Sequence, residues 1–271
     1  MTLKNLIRLL GYPALFIGGL YSGQDKLLLH PTVIAKATLN ARPTHSNAWL
    51  EASKFYGLVY EPALPAKGTV LMFHGNAGAA YHRDPISEPV LRAGFRLVLY
   101  EYPGFGEREG KLTVKNLKES ALQDFKLAHA RWPGPLYIMG ESLGSGIAAQ
   151  VAGSNPGEVA GVVLFTPWDS LGTLVDTKFF GLPVHLLLDE PFDSVGALQQ
   201  FQGTVTVVGA KNDTLIPIRH AKTLAKGVPN ARYLELDKSA HNDWFARMTV
   251  HDWTWTLSGF NPSSPDVRLA P

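Results

Sequence analysis

At 271 residues the chain is long enough to bury a sizeable core, as one large domain or two small ones. With 45% apolar and 18% charged residues it reads as globular, and a formal charge of +2 with scattered Lys and Arg excludes a broad nucleic-acid-binding surface. Cysteine is absent, which removes disulfides, thiolate metal sites and a thiol nucleophile together and leaves the redox compartment open.

The opening "MTLKNLIRLLGYPALFIGGLYSGQ" places Lys4 and Arg8 before an apolar run from Leu9 to Tyr21. That run is shorter than the ~20 residues of a spanning helix, and starting it at Leu6 puts Arg8 inside it. Residues 1–30 are read as an N-terminal hydrophobic segment that associates with a membrane through residues 6–21, as an uncleaved anchor or interfacial helix. A soluble docking helix and a cleaved signal are the alternatives. The expected location is membrane-associated, periplasmic or extracytoplasmic, with the cytoplasm as the alternative.

Strand-length apolar runs then alternate with stretches of helical period. "KFYGLVYEP" (54–62), "GTVLMFHG" (68–75), "FRLVLYEYP" (95–103), "GPLYIMG" (134–140), "VAGVVLFTP" (159–167), "GTVTVVGA" (203–210) and "RYLELD" (232–237) read as strands. Between the third and fourth, Val114, Leu117, Ala121, Phe125 and Ala128 share one helical face behind Thr113, a suitable N-cap. Such alternation predicts an α/β fold, a mostly parallel central sheet flanked by helices on both faces. From Asp169 to Gln202 no strand pattern occurs, and the stretch is too apolar for a solvated linker and too long for an ordinary connection. It is read as a short helical cap insertion, about 168–202, within a main domain of residues 31–260, with 261–271 as a loose tail.

"YIMGESLGSG" (137–146) sets Ser142 between a strand and a helix, flanked by Gly140 and Gly144. A sharp strand-to-helix turn brings backbone so close that side chains at those two positions would obstruct it, and it lifts the hydroxyl to the carboxyl end of the sheet, where ligands collect. A serine hydroxyl is a poor nucleophile unless a base takes its proton and a third group orients that base. His241 in "LELDKSAHNDWF" follows a late strand and is the candidate base. Of the other eight histidines, His74 ends a strand, His129 lies in a charged helix and His220 is read as lying on a helix surface. Asp213, in the loop after "VTVVGA", is the favoured orienting acid; Asp169 in "FTPWDSL" is its rival, with a bland reading as an N-cap. The Leu143 amide, just after the serine, and the Asn76 amide, in "HGNAGAA" after the second strand, are the expected oxyanion donors. "YPGFGEREG" is a near miss for a dinucleotide fingerprint and reads as a tight turn.

Together the blocks "HGNAG", "YPGFGEREG", "GESLGSG", "DTLIP" and "HND" resemble the α/β-hydrolase superfamily over roughly residues 50–260, and most of all its small-cap branch with an amino-terminal hydrophobic segment. The resemblance implies Ser142 as nucleophile, His241 as general base and acid, Asp213 as orienting acid, and Asn76 and Leu143 as oxyanion amides. It implies a serine hydrolase cleaving an acyl ester or thioester of a small-molecule or lipid substrate; a lipid or acyl-protein hydrolase, or an amidase or peptidase, acting at a membrane, and a non-catalytic binding protein of the same fold, are the alternatives. Nothing calls for a cofactor or metal. Members of the branch usually carry serine where this chain has Arg108, an exchange expected to alter the pocket rim. Trp168, Phe179, Phe180, Leu187 and Trp244 are candidates either for an acyl pocket or for ordinary core.

Overall fold

The computed structural model describes residues 23, 25–26, 28–33, 43, 45–178, 183–190 and 192–260. The segment 6–21, read from the sequence as a membrane anchor, the tail 261–271, Phe179 and Phe180 lie outside the described residues. Among the described residues ten strands follow in chain order: β1 His30–Pro31, β2 Asn47–Glu51, β3 Lys54–Tyr60, β4 Thr69–Phe73, β5 Ala77–Gly78, β6 Arg96–Tyr100, β7 Leu136–Glu141, β8 Val159–Phe165, β9 Thr204–Ala210 and β10 Ala231–Leu236. Eight of them form one sheet in the order β10-β9-β8-β7-β4-β6-β3-β2, and β1 pairs separately with β5. All neighbours from β10 to β6 run parallel; only β3 is antiparallel to both its neighbours. All seven strands read from the sequence are present, and the architecture is the expected α/β one. β2 and the two-residue strands β1 and β5 were not foreseen.

The helices are α1 Ser87–Arg92, α2 Val114–Arg131, α3 Leu143–Ser154, α4 Leu171–Lys178, α5 Ser194–Leu198, α6 Arg219–Gly227, α7 Trp244–Arg247 and α8 Val250–Ser258, with 3-10 turns at Ala80–Ile86 and Val184–Leu187. Alternate residues along each strand feed two cores, as a strand period of two requires. Leu71, Phe73, Ile138, Leu164 and Val207 face α2, α3, α5 and α6. Val70, Met72, Met139, Val163 and Val208 face α1, α7 and α8. Burial on both faces explains why these strands read as near-continuous apolar runs.

α2 begins where expected, with the Thr113 hydroxyl accepting from the Asn116 amide at 3.1 Å. Thr113→Ala leaves that amide unpaired, and is expected to lower unfolding stability by about 1 kcal/mol, read as a shifted denaturation midpoint at unchanged slope.

The stretch read as an insertion divides in two. α4 and the Val184–Leu187 turn pack on each other, whereas α5 is part of the main body: Ser194, Leu198 and Phe201 are buried, and Gly153 of α3 lies so close that an added Cβ would stand 2.2 Å from the Ala197 carbonyl. The portion outside the helical layer is therefore shorter than the 168–202 first assigned.

β4 is the switch point of the sheet: the chain leaves it for β6 on one side and returns to β7 on the other. Open α/β sheets form a crevice at the carboxyl ends of such a strand pair. Phe73 of β4 and Gly140 of β7 stand level in the register, so the segments after them, from His74 and from Glu141, emerge side by side.

Candidate active site

Ser142 heads α3 with φ 53° and ψ −118°, a left-handed conformation that a non-glycine residue adopts only when its surroundings impose it. Two contacts impose it here. A Cβ on Gly144 would stand 2.1 Å from the Phe73 carbonyl oxygen, and one on Gly140 would stand 2.3 Å from the Gly144 carbonyl oxygen. Both glycines therefore act as the sequence indicated, by permitting backbone approach around the serine.

The serine hydroxyl stands 3.0 Å from His241 Nε2 and donates to it. His241 Nδ1–H donates to Asp213 Oδ2 at 2.6 Å, which leaves Nε2 as the acceptor. Asp213 Oδ1 accepts in turn from the Leu215 and Ile216 amides at 2.9 and 2.7 Å, so the carboxylate is held at both oxygens. All three side chains are largely buried, yet they arrive from three separate strand ends, after β7, β9 and β10. The order of distances supports proton transfer from Ser142 to His241, with Asp213 fixing the tautomer.

The loop after β4 lies against this turn. The Asn76 carbonyl accepts from the His30 amide at 2.8 Å, its side-chain amide donates to the Leu28 carbonyl at 2.8 Å, and β1 pairs with β5 just beyond. A Cβ on Gly75 would stand 3.5 Å from Ser142 Cβ, so the loop and the start of α3 touch. Gly75 and Ser142, the residues just before Asn76 and Leu143, are thus neighbours in space.

Residues 65–189 match the model of a family described as serine aminopeptidase, S33. Among solved structures, Est1E from Butyrivibrio proteoclasticus with ferulic acid bound matches with a TM-score of 0.66 at 14% identity, over 77% of this chain and 96% of that one. The chain has the α/β-hydrolase fold. Among curated relatives, the uncharacterized protein Rv2307c of Mycobacterium tuberculosis is 26% identical over 183 residues, 64% of this chain and 63% of the relative. Lysophosphatidylserine lipase ABHD12 of Danio rerio is 25% identical over 199 residues, 65% of this chain and 51% of the relative. The chain thus spans less than two thirds of the length of either relative.

Two sequence readings are corrected. Arg108 does not reach a pocket rim: its guanidinium turns inward, donates to Asp124 Oδ2 at 2.6 Å and to the Glu101 carbonyl at 2.9 Å, and lies over the Tyr56 ring at 4.3 Å. Burial opposes its charge, but the Tyr100 and Asp124 partners outweigh that and hold it firmly protonated.

His220 is not on a helix surface. It is 4% exposed, and its Nδ1–H donates to Asp169 Oδ1 at 2.6 Å; its Nε2 has no hydrogen-bond partner among the described residues. Asp169 is thereby engaged away from His241. Burial would raise the Asp169 pKa, but hydrogen bonds from His220, Thr173 and Ser170 prevail and hold it below the ordinary carboxylate range. A depressed pKa contributes stability in full above the unfolded value, near pH 4, and sheds it as the pH falls through the folded value. Asp169→Asn is accordingly expected to flatten the acid limb of a stability-against-pH curve, measured by denaturation midpoints.

Trp168 and Trp244, candidates for an acyl pocket or for core, are buried in clusters on opposite faces of the sheet. Trp168 packs against Gly146, where an added Cβ would stand 2.9 Å from the indole, and Trp244 stacks on Phe165 with ring centroids 4.0 Å apart. Leu187 is half-buried, beside an exposed Leu186.

The near-miss glycine motif forms a turn over Glu101, with Gly106 at φ 52° and room for no Cβ, which would stand 2.0 Å from Glu101 Oε2. No group of three metal-ligating side chains occurs among the described residues, and none of the described helices is long and apolar enough to cross a membrane. A groove of about 830 Å³ lined by Lys67, Phe95, Tyr137, Met248, Trp253 and Phe260 opens near the amino ends of the strands, away from Ser142.

Proposed function

We propose that this chain is a serine hydrolase that cleaves an acyl ester or thioester through an acyl-enzyme on Ser142. The observation that carries the reading is the unbroken series Ser142 Oγ, His241 Nε2 and Nδ1, Asp213 Oδ2, with steps of 3.0 and 2.6 Å. In the reaction Ser142 Oγ bonds to the acyl carbon while His241 Nε2 takes the hydroxyl proton. The carbonyl oxygen gains charge facing the Asn76 and Leu143 amides and the positive end of α3. The tetrahedral intermediate collapses, the alcohol or thiol leaves with the proton returned by His241, and an ester to Ser142 remains. Water, deprotonated by the same histidine, attacks that ester and releases the acid with the serine regenerated.

A lipid acyl ester is the second reading. Its support is the likeness to ABHD12, together with the exposed aliphatic side chains Leu186 and Leu215, the latter two residues past Asp213. Residues 6–21 would hold the domain at a membrane in that reading.

The test is a chain-length series of p-nitrophenyl esters, acyl thioesters, acyl amides and lysophosphatidylserine, each run beside Ser142→Ala. Turnover of esters that disappears with Ser142 supports the proposal. Turnover of none, or turnover that persists in Ser142→Ala, contradicts it. Membrane fractionation of the full chain and of a variant lacking residues 1–23 tests the attachment, and equal sedimentation of the two speaks against it.

A further inference from the structure

Glu141 directly precedes Ser142, and Ala77 directly follows Asn76, so the two residues bracket the proposed oxyanion site from its two backbone walls. One side chain spans them. Arg83 donates from Nε to Glu141 Oε2 at 2.8 Å and from Nη2 to Glu141 Oε1 at 3.0 Å, and from Nη1 to the Ala77 carbonyl at 3.4 Å. The pair is largely shielded, with side chains 17% and 11% exposed. It lies behind Gly75, where an added Cβ would meet Arg83 Nη2, Glu141 Oε1 and Ser142 Cβ all at 3.5 Å.

Two consequences follow from this placement. A planar fork fixes distance and orientation together, because both carboxylate oxygens and a third acceptor constrain the same rigid group. The loop after β4 is thereby tied to the turn after β7, independently of the pairing of β1 with β5. The second consequence is electrostatic. A shielded carboxylate close to the serine opposes the negative charge that grows on the acyl oxygen, and the guanidinium cancels that opposition. The other titratable groups on this side are His74, His82, Glu101 and Tyr102. His74 and Glu101 are bonded to each other at 2.9 Å, His82 Nδ1 accepts from the Ala79 amide, and the Tyr102 hydroxyl donates to the His74 carbonyl, so none of them substitutes for Arg83.

We infer that Arg83 is a positioning residue for hydrolysis, setting the separation of the Asn76 and Leu143 amides through Glu141 and compensating the Glu141 charge beside the oxyanion. The inference rests on the reading of Ser142 as nucleophile. It touches no substrate atom, so its effect belongs in kcat, not in KM.

The experiment measures kcat and KM on p-nitrophenyl butyrate with the full chain, its active fraction counted by fluorophosphonate titration. The variants are Arg83→Met, Arg83→Lys, Glu141→Gln and the double Arg83→Met/Glu141→Gln, beside Arg92→Met, which removes an exposed ion pair with Glu88. Arg83→Met is expected to lose roughly 10- to 100-fold in kcat with KM within about threefold, as displacements of a site by about an ångström do. Arg83→Lys recovers little, since an ammonium makes no fork. The double variant falls by less than the product of the single losses, because removing the carboxylate removes the uncompensated charge. Arg92→Met matches the parent.

An Arg83→Met enzyme with kcat within twofold of the parent, a loss confined to KM, or single losses that multiply in the double variant would each overturn the inference. If Arg83→Met does not fold, Glu141→Gln carries the test, with an expected kcat loss of about tenfold against a contradicting value within twofold. A parent enzyme that fails to turn over, or turns over without Ser142, defeats the reading of the nucleophile instead, which keeps the two failures distinct.

Discussion

Replacing His241 by alanine is expected to lower kcat for a p-nitrophenyl ester by about 10⁴- to 10⁶-fold, and adding Ser142→Ala to that variant is expected to cost almost nothing further. The reason is the geometry: the Ser142 hydroxyl donates to His241 Nε2 at 3.0 Å, and among the described residues no other ring nitrogen or carboxylate is bonded to it. Without the imidazole the hydroxyl keeps its proton and is a weak nucleophile; without the hydroxyl the imidazole has nothing to deprotonate. Residues that act as one unit give losses that do not add. The measurement is kcat across the two single variants and the double, and losses that multiply would show that the two side chains act separately.

The second expected effect separates two aspartates. Asp213→Asn should lower kcat by about 10⁴-fold at neutral pH, because an amide donating to Nδ1 leaves the proton on Nε2, the wrong tautomer for a base. The Asp213 loop should survive, since an asparagine oxygen still accepts from the Leu215 and Ile216 amides, now at 2.9 and 2.7 Å to Oδ1. Asp169→Asn leaves the bond between His241 and Asp213 untouched and acts on the pairing with His220, so its signature is in stability. Equal losses of kcat in the two variants would refute this division of roles.

Much of the site was legible because each of its side chains follows a strand end. Ser142 and Asp213 each stand just past a continuous apolar run that reads as a buried strand, His241 follows the half-buried edge strand β10, and parallel strands bring such ends to one edge. Gly140 and Gly144 were legible for the same reason, a turn too tight for side chains. β2 was missed because "NAWLE" at the sheet edge lacks a continuous apolar run, although Trp49 within it is fully buried.

His220 and Arg108 were misread for want of period. His220 shares the buried stripe of α6 with Ala221 and Leu224, in a helix otherwise rich in charge. Asp124, the partner of Arg108, lies one heptad after Leu117 on the buried stripe of α2, a charged residue whose burial demands a partner. Those two signals were available. The pairing of Arg83 with Glu141 was not, since the residues stand 58 apart in sequence and only the meeting of the 3-10 turn Ala80–Ile86 with the end of β7 joins them.

The central claim is that Ser142 accepts an acyl group. The most direct measurement is intact-mass spectrometry of the full chain quenched in acid during turnover of a p-nitrophenyl ester, followed by mapping of the modified peptide. The account predicts one acyl adduct per chain, located on Ser142, accumulating faster than it clears when the leaving group is good, and absent from Ser142→Ala. An adduct on another residue, or ester turnover in the parent with the same adduct level in Ser142→Ala, would contradict it.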